Sequence, residues 1–181
     1  MAADRKTSGT KLSPQALHGS DLPLPPANHS KQEEANRVLV DKFYALHEAG
    51  DDKRLLELLT DDCVYCIGVG TSEDTVPYHG IYRGKAQIAA YLAKKRRLTL
   101  RPFCGLLTRA LVDGPFVICI GEVEDEFHTS RFRVHKCRFM QFFIVNESEN
   151  KISRMEYFVD TAATQAAWLA AMDRGVTADT A

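Results

Sequence analysis

No apolar run in this sequence approaches the ~20 residues that a membrane-spanning helix requires. No membrane partner is therefore expected. Neither sign of charge dominates: 23 Lys and Arg stand against 24 Asp and Glu, a formal net charge of −1. That balance argues against a nucleic-acid or anionic-surface partner held by bulk electrostatics. Arg5, Lys6 and Lys11 are followed by no apolar core, so the N-terminus does not read as a secretory signal. Cysteine is sparse and odd in number: Cys63, Cys66, Cys104, Cys119 and Cys137, at irregular spacings and mostly among Val, Ile and Phe. They read as small core residues of a reduced, cytoplasmic chain. Cys63-Val-Tyr-Cys66 has redox spacing but lies in a strand pattern. A reactive pair needs a helix start, where the dipole lowers the thiol pKa. His128, His135 and Glu124 lack a further ligand cluster, so no metal is expected. Neither a Ser-His-Asp order nor a phosphate-binding glycine loop occurs, and no cofactor is expected.

What is present fits one ordinary soluble domain with a tail: 45% of the residues are hydrophobic and 26% charged. Residues 1–30 are rich in Pro, Ser, Gly and Asn, include Leu22-Pro-Leu-Pro-Pro26, and show no periodic apolar face. The expectation is a disordered linker, with a Pro-rich docking peptide as the alternative. Ser30 and Glu33 form a capping-box pattern for a helix reaching Ala49. Ala35, Leu39, Phe43 and Leu46 make its apolar stripe, and Gly50 ends it. Asp51 or Asp52 caps a short second helix bearing Leu55, Leu56, Leu58 and Leu59. Thr60-Asp61-Asp62 reads as a turn. Residues 63–69 alternate as a strand with Cys63, Tyr65 and Ile67 on one face. Residues 70–80 form an irregular loop. Gly84 opens a third helix that buries Ile88, Tyr91 and Leu92. Lys94, Lys95, Arg96 and Arg97 close it and suit its dipole. A nucleic-acid patch there would need basic or aromatic support that the neighbouring sequence lacks.

The chain is organised around three long antiparallel strands, 116–128, 132–145 and 151–160. A strand at 98–112, interrupted near Pro102, precedes them through the hairpin signal Asp113-Gly114. With Thr129-Ser130 as a turn, Glu122, Glu124, Glu126, His128, Arg131, Arg133 and His135 share one face. They form either an exposed ladder of ion pairs, each contributing ~0–1 kcal/mol, or, for Glu124, part of a pocket wall. Phe116, Ile118 and Ile120 share that parity further from the turn and read as the core end. The Ala-rich run 161–172 presents Ala163, Ala167, Trp168 and Met172 as a helical face that packs on the body, and Gly175 ends it. The expected divisions are a tail (1–30), the domain (31–161) and a C-terminal helical tail (162–181).

Four motifs carry a resemblance: Phe43-Tyr-Ala-Leu-His-Glu-Ala-Gly-Asp51, Leu58-Leu-Thr-Asp-Asp-Cys-Val-Tyr65, His79-Gly-Ile-Tyr-Arg-Gly84 and Lys151-Ile-Ser-Arg-Met-Glu-Tyr-Phe-Val-Asp160. Their order and spacing over roughly residues 33–161 resemble the SnoaL-like branch of the nuclear transport factor 2-like superfamily. The resemblance implies an α+β fold: a cone-shaped, curved antiparallel sheet with N-terminal helices packed in its concavity. It also implies a pocket and, often, a homodimer through the outer sheet face. The family includes polyketide cyclases, ketosteroid isomerases and limonene-type epoxide hydrolases, so fold alone does not give function.

Set against the ketosteroid isomerases, the oxyanion-hole Tyr falls at Phe43, the base at Ile67 and the protonated Asp near Gln141 or Phe142, which excludes that activity. Set against the epoxide hydrolases, Asp62-Cys-Val-Tyr65 places Tyr65 as a water-orienting residue. The partner Asn is replaced by Ile67. The Arg-x-Asp pair falls at Glu122-Val-Glu124, which has no Arg, and Glu156 stands near the last-strand Asp. The expected catalytic set is Tyr65 as orienting group with Glu124 and Glu156 as acid and base. Phe43, Ile67, His79, Tyr82 and Tyr91 are the expected pocket lining. The function expected is binding of a small apolar or aromatic molecule, with cofactor-free cyclase, isomerase or hydrolase chemistry. The alternative is a non-catalytic dimerisation or protein-binding module using the outer sheet face.

Overall fold

The computed structural model describes residues 30–99, 105–123 and 137–172. The first helix, α1 (Lys31–Ala49), begins where its capping box predicts. Ser30 Oγ accepts from the Glu33 amide at 3.1 Å, and the Glu33 carboxylate accepts from the Ser30 amide at 2.7 Å. Gly50 ends the helix in the left-handed region at φ 74°, where a side chain would be strained. The buried stripe is Asn36, Leu39, Val40, Phe43, Leu46 and His47. Ala35, expected within that stripe, is exposed, and Asn36 takes its place. The reason is a polar anchor. Asn36 Nδ2 donates to the Gly114 carbonyl at 2.9 Å and to Glu147 Oε1 at 3.1 Å, while Glu33 Oε1 accepts from the Gly114 amide at 3.2 Å. Two sheet turns are thereby tied to one helix.

Helix α2 (Asp52–Glu57) is capped by Asp51, whose carboxylate accepts from the Arg54 amide. Strand β1 (Leu59–Ile67) follows directly. Thr60-Asp61-Asp62, expected as a turn, lies inside this strand, where its pairing with the last strand shifts register between Leu59 and Val64. An irregularity of this kind accommodates polar residues that would otherwise signal a turn. Beyond the expected loop, from its last residue, the chain forms β2 (Gly80–Arg83), and α3 (Gly84–Leu98) begins at the expected glycine. After it come β3 (Gly105–Asp113), β4 (Phe116–Val123), β5 (Cys137–Asn146), β6 (Lys151–Val159) and α4 (Thr161–Met172). The Asp160 carboxylate caps α4 by accepting from the Ala163 amide at 3.0 Å. Thr164, Ala167 and Trp168 are the buried face of α4, and Met172, expected there, is exposed.

The six strands run in the order β2-β1-β6-β5-β4-β3. One pair departs from the antiparallel expectation: β1 runs parallel to β6. These two strands are joined through the whole meander between them, so no tight turn forces them to oppose. Register shifts between Leu107 and Arg109 and between Ile144 and Val145 bend the sheet. The concave face carries Val117, Cys119, Phe139, Gln141, Phe143, Met155 and Tyr157, all buried. Phe116, Ile118 and Ile120, expected at the core end, occupy the opposite face with Glu122 and are half-buried or exposed. Both parities of β4 are apolar near its turn. The Gly114 anchor to α1 decides which one is covered.

Candidate functional site

The interior between α1, α3 and the concave sheet is aromatic. Phe43 from α1 is fully buried and sits edge-on to Phe143 at 5.2 Å, to His47 at 5.8 Å and to Tyr65 at 6.4 Å between centroids. Tyr65 projects inward from β1 and meets Tyr91 of α3 at 6.3 Å; Tyr91 in turn lies 4.9 Å from Tyr82 of β2. Ile67 and Tyr91 are buried and Tyr82 is half-buried. Tyr82 Oη donates to the Tyr78 carbonyl at 3.0 Å. Its hydroxyl is pushed up to about 12 by burial.

The Tyr65 hydroxyl is completely buried and has no hydrogen-bond partner. Burial, then the neighbouring Cys63, holds its pKa well above the usual tyrosine range. Leaving such a group unsatisfied costs ~1–3 kcal/mol. On the sheet floor, Tyr44 Oη donates to Gln141 Oε1, and Gln141 Nε2 reaches Met155 Sδ at 3.6 Å. Burial drives the Tyr44 pKa strongly upward. Tyr157 lies 5.8 Å from Phe139 on the same face.

His79 is held by a relay. Thr71 Oγ1 donates to the Gly68 carbonyl at 2.6 Å and lies 2.7 Å from His79 Nδ1. A hydroxyl has one proton, so with that proton on Gly68 the imidazole Nδ1 carries its own, and Nε2 is the acceptor nitrogen. Gly68, at φ 64°, is required here because a Cβ would stand 2.3 Å from His79 Nδ1. His47, also buried, is pushed down to about 3 by burial and by the positive charge of Lys95. The helix-closing cations are not one solvated group. Lys95 is buried with Nζ 5.9 Å from the Tyr78 ring centroid, and Arg96 forks onto Asp52.

Of the expected catalytic set, Tyr65 and Glu156 lie on opposite faces. Pairing puts Tyr65 opposite Met155 and Cys66 opposite Glu156. Glu156 therefore shares the outer face with Cys66, where its carboxylate accepts from Arg154 Nε at 2.6 Å and Arg154 also reaches Cys66 Sγ at 3.7 Å. Glu124 lies outside the described residues, as do Glu126, His128, Arg131, Arg133, His135, Pro102, Cys104, Gly175 and residues 1–29. Sequence reasoning passed over Tyr44, Gln141 and Tyr157 as interior polar groups. Gln141 had a signal: it is the lone polar residue in the inward series Phe139, Gln141, Phe143. The described cysteines are free. Burial pushes the Cys63 and Cys119 thiols up to about 12, the opposite of what nucleophilic thiols require. Among the described residues no cluster of His, Cys, Asp and Glu could hold a metal, and no helix is long and apolar enough to cross a membrane.

No protein-family profile matches the chain, and no curated protein matches it in sequence. Solved structures do match in fold. An NTF2-like protein from Burkholderia xenovorans LB400 superposes with a TM-score of 0.62 at 20% identity, over 75% of this chain and 97% of its own. A protein from Jannaschia sp. CCS1, named for its likeness to SnoaL polyketide cyclases, gives 0.65 at 14% identity, over 78% and 96%. TerC, co-crystallised with polyporic acid, gives 0.65 at 18% identity, over 75% and 98%. The fold is therefore nuclear transport factor 2-like, an α+β sheet with helices in its concavity. SnoaL-like proteins are among those that share it.

Proposed function

We propose that this protein binds a small apolar or aromatic molecule against the concave sheet face, beneath α1 and α3. The buried, unpartnered hydroxyl of Tyr65 carries the reading. A hydroxyl kept dry beside Phe43 and Tyr91 supports recognition of a ligand oxygen, because a bound acceptor would satisfy it. Gln141 and Tyr44 supply a second polar point on the floor. That TerC, which shares the fold, was co-crystallised with the small molecule polyporic acid supports a small-molecule ligand. Acid/base conversion of such a ligand, as a cyclase, isomerase or hydrolase, would use Tyr65 as orienting group and Glu124 as proton acceptor. Glu156, ion-paired on the outer face, takes no part. The setting proposed is cytoplasmic, supported by the free, buried cysteines.

The test is Tyr65→Phe. The ligand-free variant should be more stable than the parent by about 1 kcal/mol, since the unsatisfied hydroxyl is gone. Its affinity for polyhydroxylated aromatic or quinone probes should fall about tenfold, as for one lost hydrogen bond. A variant that binds such probes as tightly as the parent, or a parent that binds none, would sink the proposal.

A second reading, compatible with the first, rests on the outer face. Phe116 and Phe142 stack at 5.7 Å there, and Phe116, Leu111 and Met140 are each more than a third exposed. We propose a homodimer through this apolar face, with Arg154 and Glu156 at its rim. Light scattering should report a dimer for the parent and a monomer for Phe142→Glu; a monomeric parent would refute it.

A further inference from the structure

Tyr65 is enclosed in this structure: the residue is 1% exposed and its hydroxyl is sealed from solvent. A molecule that reaches it must first displace part of the fold. The segment that leaves β1 and returns to β2, residues 68–79, is built for such a displacement. Its two ends adjoin, since Ile67 pairs with Gly80. Between them the chain bonds to itself. The Thr71 amide donates to the Gly68 carbonyl at 2.9 Å, the Thr75 and Val76 amides to the Ser72 carbonyl at 2.9 and 3.3 Å, and the His79 amide to the Val76 carbonyl at 2.8 Å. Thr71 Oγ1 ties Gly68 to His79 across the neck. A compact loop whose ends meet and whose bonds are internal can move as one body. Gly68 and Gly80, at φ 64° and 146°, stand at the two ends, where the backbone pivots most freely.

One side of this loop is a plug. Val76, Pro77, Tyr78 and His79 are buried, whereas Ser72, Glu73 and Asp74 face solvent. The Tyr78 ring lies against the Lys95 ammonium of α3, and Tyr65 meets Tyr91 of the same helix. Tyr91 and Lys95 share the buried side of α3, about 6 Å apart along its axis. The plug is therefore the neighbour of the Tyr65 site. Tyr82 links the two, holding the Tyr78 carbonyl through its hydroxyl and packing its ring on Tyr91. On the solvent side, Glu73 pairs with Lys94 of α3 at 3.4 Å, and the Glu73 side chain is 71% exposed. An ion pair so exposed holds weakly and releases readily. We propose that residues 68–79 are a lid, latched by Glu73 and Lys94, that swings out as a unit and admits ligand to Tyr65 from the side of β1 and α3. The lid rests on the reading of Tyr65 as a ligand-binding group, and its test separates the two.

Site-resolved thiol labelling of full-length Val76→Cys tests the lid without any ligand. The introduced thiol lies in the plug, and Cys63, free and buried in β1, reports global opening in the same molecule. The introduced thiol should label about tenfold or more faster than Cys63, with little dependence on urea, as for a local opening. Adding Glu73→Lys, which sets two cations against each other on the surface, should speed that labelling about threefold. Glu73→Lys alone, at an exposed position that leaves the core intact, gives a second readout. Association of the polyhydroxylated aromatic quercetin, followed by its fluorescence in stopped flow, should quicken by about the same factor. Labelling of the introduced thiol at the Cys63 rate, or either rate indifferent to Glu73→Lys, would overturn the lid. Rapid labelling in a protein that binds no quercetin would support the lid and count against the ligand reading alone.

Discussion

His47 is neutral in the folded protein because α1 carries it into the core, where Lys95 adds a repelling charge. With its folded pKa near 3 and an ordinary unfolded value near 6.5, the unfolded chain binds the extra proton between those limits. Its contribution to stability is fully present above about pH 6.5 and is lost as the pH falls toward 3. The slope approaches 1.4 kcal/mol per pH unit, about the value for one proton. Urea titrations from pH 7 to pH 4 should show the parent losing stability. His47→Leu, whatever its absolute stability, should show a visibly flatter profile. Equal slopes would mean that the acid sensitivity belongs to other groups. Tyr65 follows a different logic: its hydroxyl also resists ionisation through burial, yet what it lacks is a partner rather than a proton.

Among the elements, α1 is the organiser, since one asparagine on it holds two turns of the sheet. Asn36→Leu keeps the branched shape and removes the side chain's hydrogen bonds, leaving the Gly114 carbonyl and the Glu147 carboxylate without that donor and Gln32 without its acceptor. A loss of ~1–3 kcal/mol in chemical unfolding is expected; a change under about 0.5 kcal/mol would show the anchor to be dispensable. At this same scale the sequence was most readable. The capping box, Gly50, Gly84 and the alternation of Cys63, Tyr65 and Ile67 each reflect a local rule, and each stands where that rule puts it. Thr60-Asp61-Asp62 misled because turn chemistry and a strand irregularity use the same residues. The parity of β4 misled because Val117 and Cys119 are as apolar as Ile118 and Ile120, and a long-range contact from Asn36 makes the choice. The candidate site was legible only in part. Tyr65 came from a local motif, but Glu156 is one register step from Met155 and Tyr157, and that step reverses the face. Tyr44 and Gln141 meet only after α1 has crossed the sheet, which no local pattern records.

Among the described residues the sheet has two unlike faces, one aromatic and covered, the other bearing the exposed Leu111, Phe116 and Met140. The two proposed activities should therefore be separable. Tyr65→Phe should leave the oligomeric state unchanged in light scattering, and Phe142→Glu should leave the affinity for aromatic probes within about twofold, as for sites without shared partners. Loss of ligand binding in a well-folded Phe142→Glu monomer would mean that the partner copy shapes the interior, and the separation would fail.

The parallel pairing of β1 with β6 reaches beyond architecture. Tyr65 lies opposite Met155, so an early strand of the domain finds its neighbour only in the last one. On a ribosome that emits the chain from its N-terminus, β1 has only the short β2 beside it until residues near 159 have cleared the exit tunnel. The slowest event in building this protein should then be the joining of its two ends, as expected where sequence-distant contacts govern the folding rate. Nascent chains halted before β6 would display β1 with a bare edge, the form in which this sequence is most exposed to aggregation.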